Sequence, residues 1–448
     1  MGVASSMKKG TGMIGRTFDV QVEGLDRQGH GQATLDDDLR PLRIPAAAPG
    51  DRGRIEIIHE SPRRLVGRWL QITAGPSRYP TACPHRPTCG GCVAWEVEPN
   101  TLWQAKWSRV KEALGTLGSS LEAGSGPSPR GPWRTRHRVF VDRAGSAPRF
   151  VVPMARGAGS LAIDDCQILP EVLRDRLQLL SFQVQAPQLQ TVTSVVLTLG
   201  TPAVSGLAKV GLGLRAQGPL PSDRPTVGRP GDAVSWLEAN AAKRSHFGGL
   251  KAPQIYAGPA AVAVRVGPVV LPTPPFAFVQ VHPTGRERLL QTVLDAVPSE
   301  AGQAIDAGCG TGLFARALGQ RGWDVLALDE GPALAPAWLS PVEGVEFRLR
   351  SAGAGPWPVD LELAICDPPR SGLDPAWKRR LLEAQPQRIV MVHCGLEAAK
   401  RDLHGLAESG YRCHAIHPID LMPGTMHVEL VSVWERPHGE DSGSDRGR

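Results

Sequence analysis

The sequence predicts an α/β protein in three parts. They are an N-terminal OB-like β-barrel, a β-rich central domain with a cysteine cluster, and a C-terminal, Rossmann-like doubly wound domain. Three observations carry this. Short alternating stretches such as FDVQVEGL and DRGRIEIIHE crowd the first 75 residues, separated by Gly and Asp turns. Cys83, Cys89 and Cys92 fall within ten residues. Beyond residue 271, apolar strands alternate with helical segments, each strand ending at a Gly- or Pro-rich turn. At 448 residues the chain also exceeds what one ordinary core holds.

Taken in order, residues 1–14 and 437–448 are polar or Gly-rich and are expected to be disordered tails. Residues 15–75 form the barrel. The region 76–270 opens with the run CPHRPTCGGC, continues into the helical stretch TLWQAKWSRVKEALGTL, and then alternates as RHRVFVDRAG, SVVLTLG and AVAVRVGPVVLP. Residues 271–436 start with the helix HPTGRERLLQTVLDAV. A strand, Gly-rich turn, helix and second strand follow in QAIDAGCGTGLFARALGQRGWDVLALDE, and then the strands LELAIC and QRIVMVHC. In doubly wound sheets, ligands bind outside the carboxyl ends of the strands. Asp306, Asp329, Asp367 and Cys394 all fall there.

Composition excludes little. The net charge is +6 and arginine outnumbers lysine, which suits phosphate recognition, but a G- and C-rich genome accounts for arginine equally well. No stretch offers the roughly 18 apolar residues of a membrane helix, and the N-terminus lacks an apolar signal core. A cytoplasmic monomer with no membrane partner is expected. Eight cysteines in a reducing compartment read as ligands or reactive thiols before disulfides.

The loop DAGCGTG, Asp306 to Gly312, has an acid, Asp329, 17 residues beyond its last glycine and at the end of the next strand. A carboxylate there takes the ribose hydroxyls of an adenosyl group. The loop lacks the lysine of a nucleotide-triphosphate loop and departs from G-x-G-x-x-G, so S-adenosylmethionine is favoured over a dinucleotide or a structural turn. A lone cysteine such as Cys394 is more often core than catalyst. Methylation at carbon 5 of a pyrimidine, however, demands a thiol. Carbon 5 becomes nucleophilic only when something adds to carbon 6, and a base must then remove the carbon-5 proton. Cys394, Asp367 and Glu429 supply a nucleophile, an acid near the base edge and a general base. For Cys83, Cys89 and Cys92, the C-x5-C-x2-C spacing alone favours zinc.

Four segments in this order resemble the RNA uracil-5-methyltransferases, in particular the branch that modifies 23S ribosomal RNA. They are FAFVQVHP with Phe278 and Gln280, CDPPRSGL with Asp367, VMVHCGLEAAKRDL with Cys394, and IDLMPGTMHVELVSVWER with Glu429. The resemblance covers nearly the whole chain and is weakest in its middle. It implies a class I fold that binds S-adenosyl-L-methionine through Gln280, Asp306, Gly308, Gly310, Asp329 and Asp367. It makes Cys394 the nucleophile and Glu429 the proton acceptor. It implies a [4Fe–4S] cluster on Cys83, Cys89, Cys92 and Cys166, with zinc as the second choice. It also identifies the N-terminal barrel as a TRAM domain, with Arg40, Arg43, Arg63, Arg64 and Arg68 as RNA contacts. WRTRHRVF (133–140) is either part of the RNA path or an ordinary strand. Transfer RNA is the alternative substrate, and a noncatalytic RNA-binding factor the alternative function. The chain departs from the family at His393, Gly395 and Leu396, where Ser, Asn and Pro are usual, and at Gly308, where an aromatic is usual. His393 is expected to pack and not to activate the thiol.

Overall fold

The computed structural model describes residues 12–437, except 82, 87, 156–158, 203–207, 239–251, 332–333 and 335–339. The expected tails therefore lie outside the described residues over 1–11 and 438–448. The chain is a mixed α/β structure in two compact units. One comprises Met1–Ala105, Pro153–Gly159 and Pro423–Met426, the other Lys106–Val152, Ser160–Met422 and His427–Arg448.

The first unit is built on a six-stranded sheet. Its strands are β1 (Thr17–Gln21), β2 (Gly24–Leu25), β3 (Gly31–Leu35), β4 (Asp38–Ile44), β5 (Arg52–Ser61) and β6 (Arg64–Ala74), in the order β1-β5-β6-β4-β3-β2. The alternation read in the sequence places Leu42, Ile44, Ile55, Ile57 and Leu65 wholly inside. The outward arginines are largely neutralised within the sheet. Arg40 pairs with Asp38 and Glu60, Arg43 with Asp26, Arg54 with Asp19 and Arg68 with Glu56. Of the expected RNA contacts, only Arg63 and Arg64 are without an ion pair among the described residues.

A helix, α1 (Pro99–Leu114), crosses from the first unit into the second. The second unit's central sheet contains β7 (Arg136–Asp142), β8 (Arg149–Pro153), β9 (Ser160–Ala162), β10 (Val192–Leu199), β11 (Val210–Ala216), β12 (Ala233–Glu238) and β13 (Gln254–Ala257), in the order β13-β12-β11-β10-β7-β8-β9. The β11–β12 pair is parallel, while the β7–β8, β7–β10, β10–β11 and β12–β13 pairs are antiparallel. Helix α2 (Glu171–Gln183) sends Arg176 to the buried Asp232 at 2.7 Å. The hairpin β14 (Val262–Val266) and β15 (Val269–Thr273) leads into α3 (Pro283–Asp295).

Seven further strands form one sheet: β16 (Gln303–Ala307), β17 (Asp324–Asp329), β18 (Val345–Leu349), β19 (Leu363–Cys366), β20 (Arg388–His393), β21 (Arg412–Ile419) and β22 (Glu429–Glu435), in the order β18-β17-β16-β19-β20-β22-β21. The helices α4 (Leu313–Gly319), α5 (Pro375–Ala384) and α6 (Leu396–Glu408) connect them. β16 to β20 pair in parallel, and β22 runs back antiparallel against β20. LAIC and IVMVH are apolar without alternation because both faces of these strands are covered. On α6, Leu396, Ala399, Leu403 and Leu406 form the buried stripe.

A buried ion pair ties α1 to the segment leading towards β22. Lys106 Nζ, with no solvent exposure, lies 2.6 Å from Asp420 Oδ1, and Asp420 Oδ2 accepts from Ser128 N at 3.1 Å. Either partner left alone would be a buried, uncompensated charge, a defect that costs about 3–5 kcal/mol. Among the described residues, no helix is long and apolar enough to cross a membrane.

Candidate active site

The Gly-rich turn leaving β16 is shaped by what passes beside it. Gly308, Gly310 and Gly312 all have positive φ, at 77°, 54° and 87°. A Cβ on Gly308 would stand 2.3 Å from the carbonyl oxygen of Asp367, so an aromatic cannot occupy this position in this chain. Around Gly310 the space is open, with no heavy atom within 4 Å of where a Cβ would stand. Gly310 N donates to Asp329 Oδ2 at 3.0 Å, and Gly331 N donates to Asp329 Oδ1 at 2.9 Å, so the second acid is aimed by backbone amides. Asp306 lies in β16, wholly buried. Its Oδ2 accepts from Ala315 N at 2.9 Å, while its Oδ1 has no hydrogen-bond partner. Burial, reinforced by the charge of Asp329, pushes the Asp306 carboxyl up to about 7. An open loop flanked by an unfilled acceptor fits a cationic, adenosyl-bearing cofactor.

Asp367 follows β19, and its backbone N donates to Ala307 O at 2.9 Å. Burial raises its carboxyl well above the ordinary range, and Glu429, Asp306 and Asp329 add to the rise. Cys394 comes directly after β20, and Gly395 is the N-cap of α6. The antiparallel register pairs His393 with Leu430, which sets Glu429, the first residue of β22, at the same edge as Cys394. Burial pushes Glu429 up to about 8, and its Oε1 has no hydrogen-bond partner. Burial, then Glu429 and Asp367, push the Cys394 thiol up to about 11. The resting thiol is thus protonated at neutral pH.

One residue escaped the reading of the sequence. Arg370, three residues beyond Asp367 in DPPRSG, lowers both the Cys394 thiol and the Glu429 carboxyl by its positive charge. The signal was a cation three residues beyond the motif's one acid, Asp367.

Asp402 on α6 binds the two reactive turns together. It accepts from Leu373 N at 2.9 Å and from Arg401, and its Oδ2 lies 3.2 Å from His393 Nε2. Arg401 Nη2 reaches Ser371 O at 2.7 Å. At Gly372, where φ is 81°, a Cβ would stand 2.3 Å from Asp402 Oδ2. His393 is therefore committed to Asp402. Gln280 lies after β15 in a segment anchored where Thr135 N donates to Val281 O at 2.9 Å.

The four remaining candidate ligands are half-buried cysteines: Cys83, Cys89 and Cys92 in the first unit, and Cys166 in the second. Gly91 N donates to Cys89 Sγ at 3.4 Å, a contact of the kind that tunes cluster sulfurs. Four cysteine sulfurs suit iron or zinc chemically. Among the described residues, however, no three His, Cys, Asp or Glu side chains are gathered as a metal site.

No protein-family model matches the chain. It is 26% identical over 447 residues to an uncharacterized RNA methyltransferase of Halalkalibacterium halodurans, spanning 93% of this chain and 96% of that one. It is 27% identical over 449 residues to a 23S rRNA (uracil(1939)-C(5))-methyltransferase of Alkalilimnicola ehrlichii, spanning 94% and 96%. The crystal structure of the Pyrococcus abyssi tRNA (uracil-54, C5)-methyltransferase with S-adenosyl-L-homocysteine matches with a TM-score of 0.69, over 93% of this chain and 100% of that one, at 22% identity. That last likeness is one of fold.

The raised carboxyl of Asp306 has a consequence for stability. A folded-state value near 7, against an ordinary value of 3.8, means that stability present below pH 4 is lost as pH rises through 7. Asp306→Asn keeps an acceptor for Ala315 N and removes the charge. It should leave the thermal midpoint unchanged near pH 4 and raise it above pH 7, by up to roughly 4 kcal/mol of stability. The same variant should lose affinity for S-adenosylmethionine in calorimetry. An unchanged midpoint across that pH range would contradict the assignment.

Proposed function

We infer that this chain is an RNA uracil-C5 methyltransferase. It uses S-adenosyl-L-methionine and acts on a uridine of structured RNA, with 23S ribosomal RNA the favoured substrate. One observation carries the reading: Cys394 and Glu429 share one sheet edge with Asp367, beside a Gly-rich turn able to take the cofactor. A noncatalytic RNA-binding factor has no use for an unpartnered buried glutamate beside a thiol, a defect that costs stability.

Gln280, Asp306, Gly308, Gly310, Asp329 and Asp367 would hold the cofactor, whose sulfonium supplies the electrophilic methyl group when bound. Cys394 loses its proton to solvent as its sulfur adds to carbon 6 of the flipped uracil, and the pyrimidine electrons move towards carbon 5 and O4. Carbon 5 takes the methyl group. Glu429 then removes the carbon-5 proton, the double bond re-forms and the thiolate leaves. Arg370 assists the first step by favouring the thiolate and the last by keeping Glu429 available as a carboxylate.

The finer assignments are a TRAM-type RNA-binding barrel over 15–75, a cysteine-cluster and central region over 76–270, and the methyltransferase domain over 271–436. Cys83, Cys89, Cys92 and Cys166 are proposed to hold a [4Fe–4S] cluster, and no step of the reaction runs through it. Transfer RNA is the second reading for the substrate, supported by the whole-chain fold likeness to a transfer-RNA enzyme.

Cys394→Ala should abolish 5-methyluridine formation on both 23S and transfer RNA transcripts, scored by nucleoside mass spectrometry, while cofactor binding is retained. Methylation by this variant would overturn the mechanism, and the transcript modified by the unmutated enzyme decides the substrate. Anaerobically purified protein should carry about four irons per chain. Stoichiometric zinc without iron would refute the cluster.

A further inference from the structure

From Trp133 into strand β7 the residues divide by parity. Trp133, Thr135, His137 and Val139 are buried, while Arg134, Arg136 and Arg138 are partly exposed and Phe140 is exposed. The register across the sheet puts Phe140, Ser194 and Arg215 in one row, and Arg138, Val196 and Gly213 in the next. The Arg138 guanidinium lies 4.9 Å over the Phe140 ring and donates to Ser194 Oγ at 3.3 Å. The Arg136 guanidinium lies 5.8 Å from the ring of Phe278. Phe140 is 39% exposed and Phe278 53%, so two aromatic rings stand open beside cations.

Among the described residues, Arg134, Arg136, Arg138 and Arg215 make no ion pair, and the Nε atoms of Arg136 and Arg138 are buried without a hydrogen-bond partner. The next acid along β7, Asp142, is taken by Arg149 at 2.9 Å. Burial lowers both Arg136 and Arg138, and the charges that add to it are those of other arginines. This is the reverse of the first unit's sheet, where Arg40, Arg43, Arg54 and Arg68 are each matched by an acid. Counterion release requires cations that the protein has not already neutralised. The same face also carries the segment that bears Gln280. The Phe276 ring sits so close to Gly213 that a Cβ there would be 2.9 Å from it, and Phe276 packs with Leu237.

We propose that this face of the central sheet, formed by Arg136, Arg138, Phe140 and Arg215, holds the single-stranded RNA flanking the target uridine, with phosphates on the arginines and a base stacked on Phe140. The proposal rests on the RNA-methyltransferase reading and adds to it the surface that grips the strand. Unpaired guanidinium groups interleaved with open rings suit a strand whose bases are free to stack. An acidic protein would satisfy the arginines and leave the rings unused.

The test is fluorescence anisotropy with a labelled oligouridylate of about 20 nucleotides, a length spanning more than one site, titrated across a potassium chloride series. Each phosphate contact on a single strand contributes about 0.7 to the slope of log K against log salt. Arg138→Gln/Arg215→Gln should therefore flatten the slope by about 1.4 and weaken binding at least tenfold at moderate salt. Arg138→Lys/Arg215→Lys should restore the slope, which a merely structural role would not do. Phe140→Ala should weaken binding roughly tenfold with the slope unchanged, because stacking is uncharged. If the glutamine pair binds as the unmutated protein does, with the same slope, the surface is wrong while the RNA reading stands. Intact RNA binding with lost binding of polyglutamate would give the face to a protein. Failure of the unmutated chain to bind or methylate any RNA would sink both readings.

Discussion

Four carboxyl groups and a thiol share the carboxyl edge of one sheet, largely shielded from water, and Arg370 is the cation set against them. Burial raises Asp306, Asp367, Glu429 and the Cys394 thiol, and neighbouring carboxylates add to the rise in Asp306, Asp367 and Cys394. Asp306 titrates near 7, Glu429 near 8 and Cys394 near 11, with Asp367 raised beside them. The resting site is therefore a store of protons. A sulfonium cation bound beside Asp306 and Asp367, as proposed, would favour their ionised forms, and protonation of the same groups would weaken its hold. The raised value of Glu429 also makes it a stronger base for the carbon-5 proton than an ordinary glutamate would be.

Holding such a cluster together takes stiffness from its surroundings. The parallel strands β16, β17, β19 and β20 bring Asp306, Asp329, Asp367 and Cys394 to one edge, and the antiparallel return of β22 adds Glu429. Asp402 then joins the turn after β19 to the end of β20 through Leu373, Arg401 and His393. Few of these contacts touch the reacting atoms. They fix where the carboxyls stand, and so how strongly each raises its neighbour.

Much of this was legible in the sequence, for a physical reason. Each chemical motif sits where an apolar strand meets a turn, so strand ends and reactive residues mark each other. The reading of Cys394 as the end of a buried strand follows from RIVMV alone, and the strand stops at His393, one residue before it. The position of Glu429 was not readable in that way. ELVSVWE reads as a strand, but its direction and register against β20 come from pairing, which no local pattern encodes. Arg40, Arg43 and Arg68 looked like free cations because Asp26, Glu56 and Glu60 lie opposite them only once the sheet forms. The parity of WRTRHRVF was visible, whereas the lack, among the described residues, of an ion pair to its arginines depends on the central sheet's strand order.

The most direct test is the fate of the covalent intermediate when Glu429 cannot act as a base. Glu429→Gln, incubated with substrate RNA and S-adenosyl-L-methionine, should carry out thiol addition and methyl transfer and then stall. Denaturing gels should show a protein–RNA band, and peptide mass spectrometry should place a methylated uridine on the sulfur of Cys394. Free 5-methyluridine formed at the unmutated rate with no adduct, or an adduct on Cys309, Cys366 or Cys413, would contradict the account.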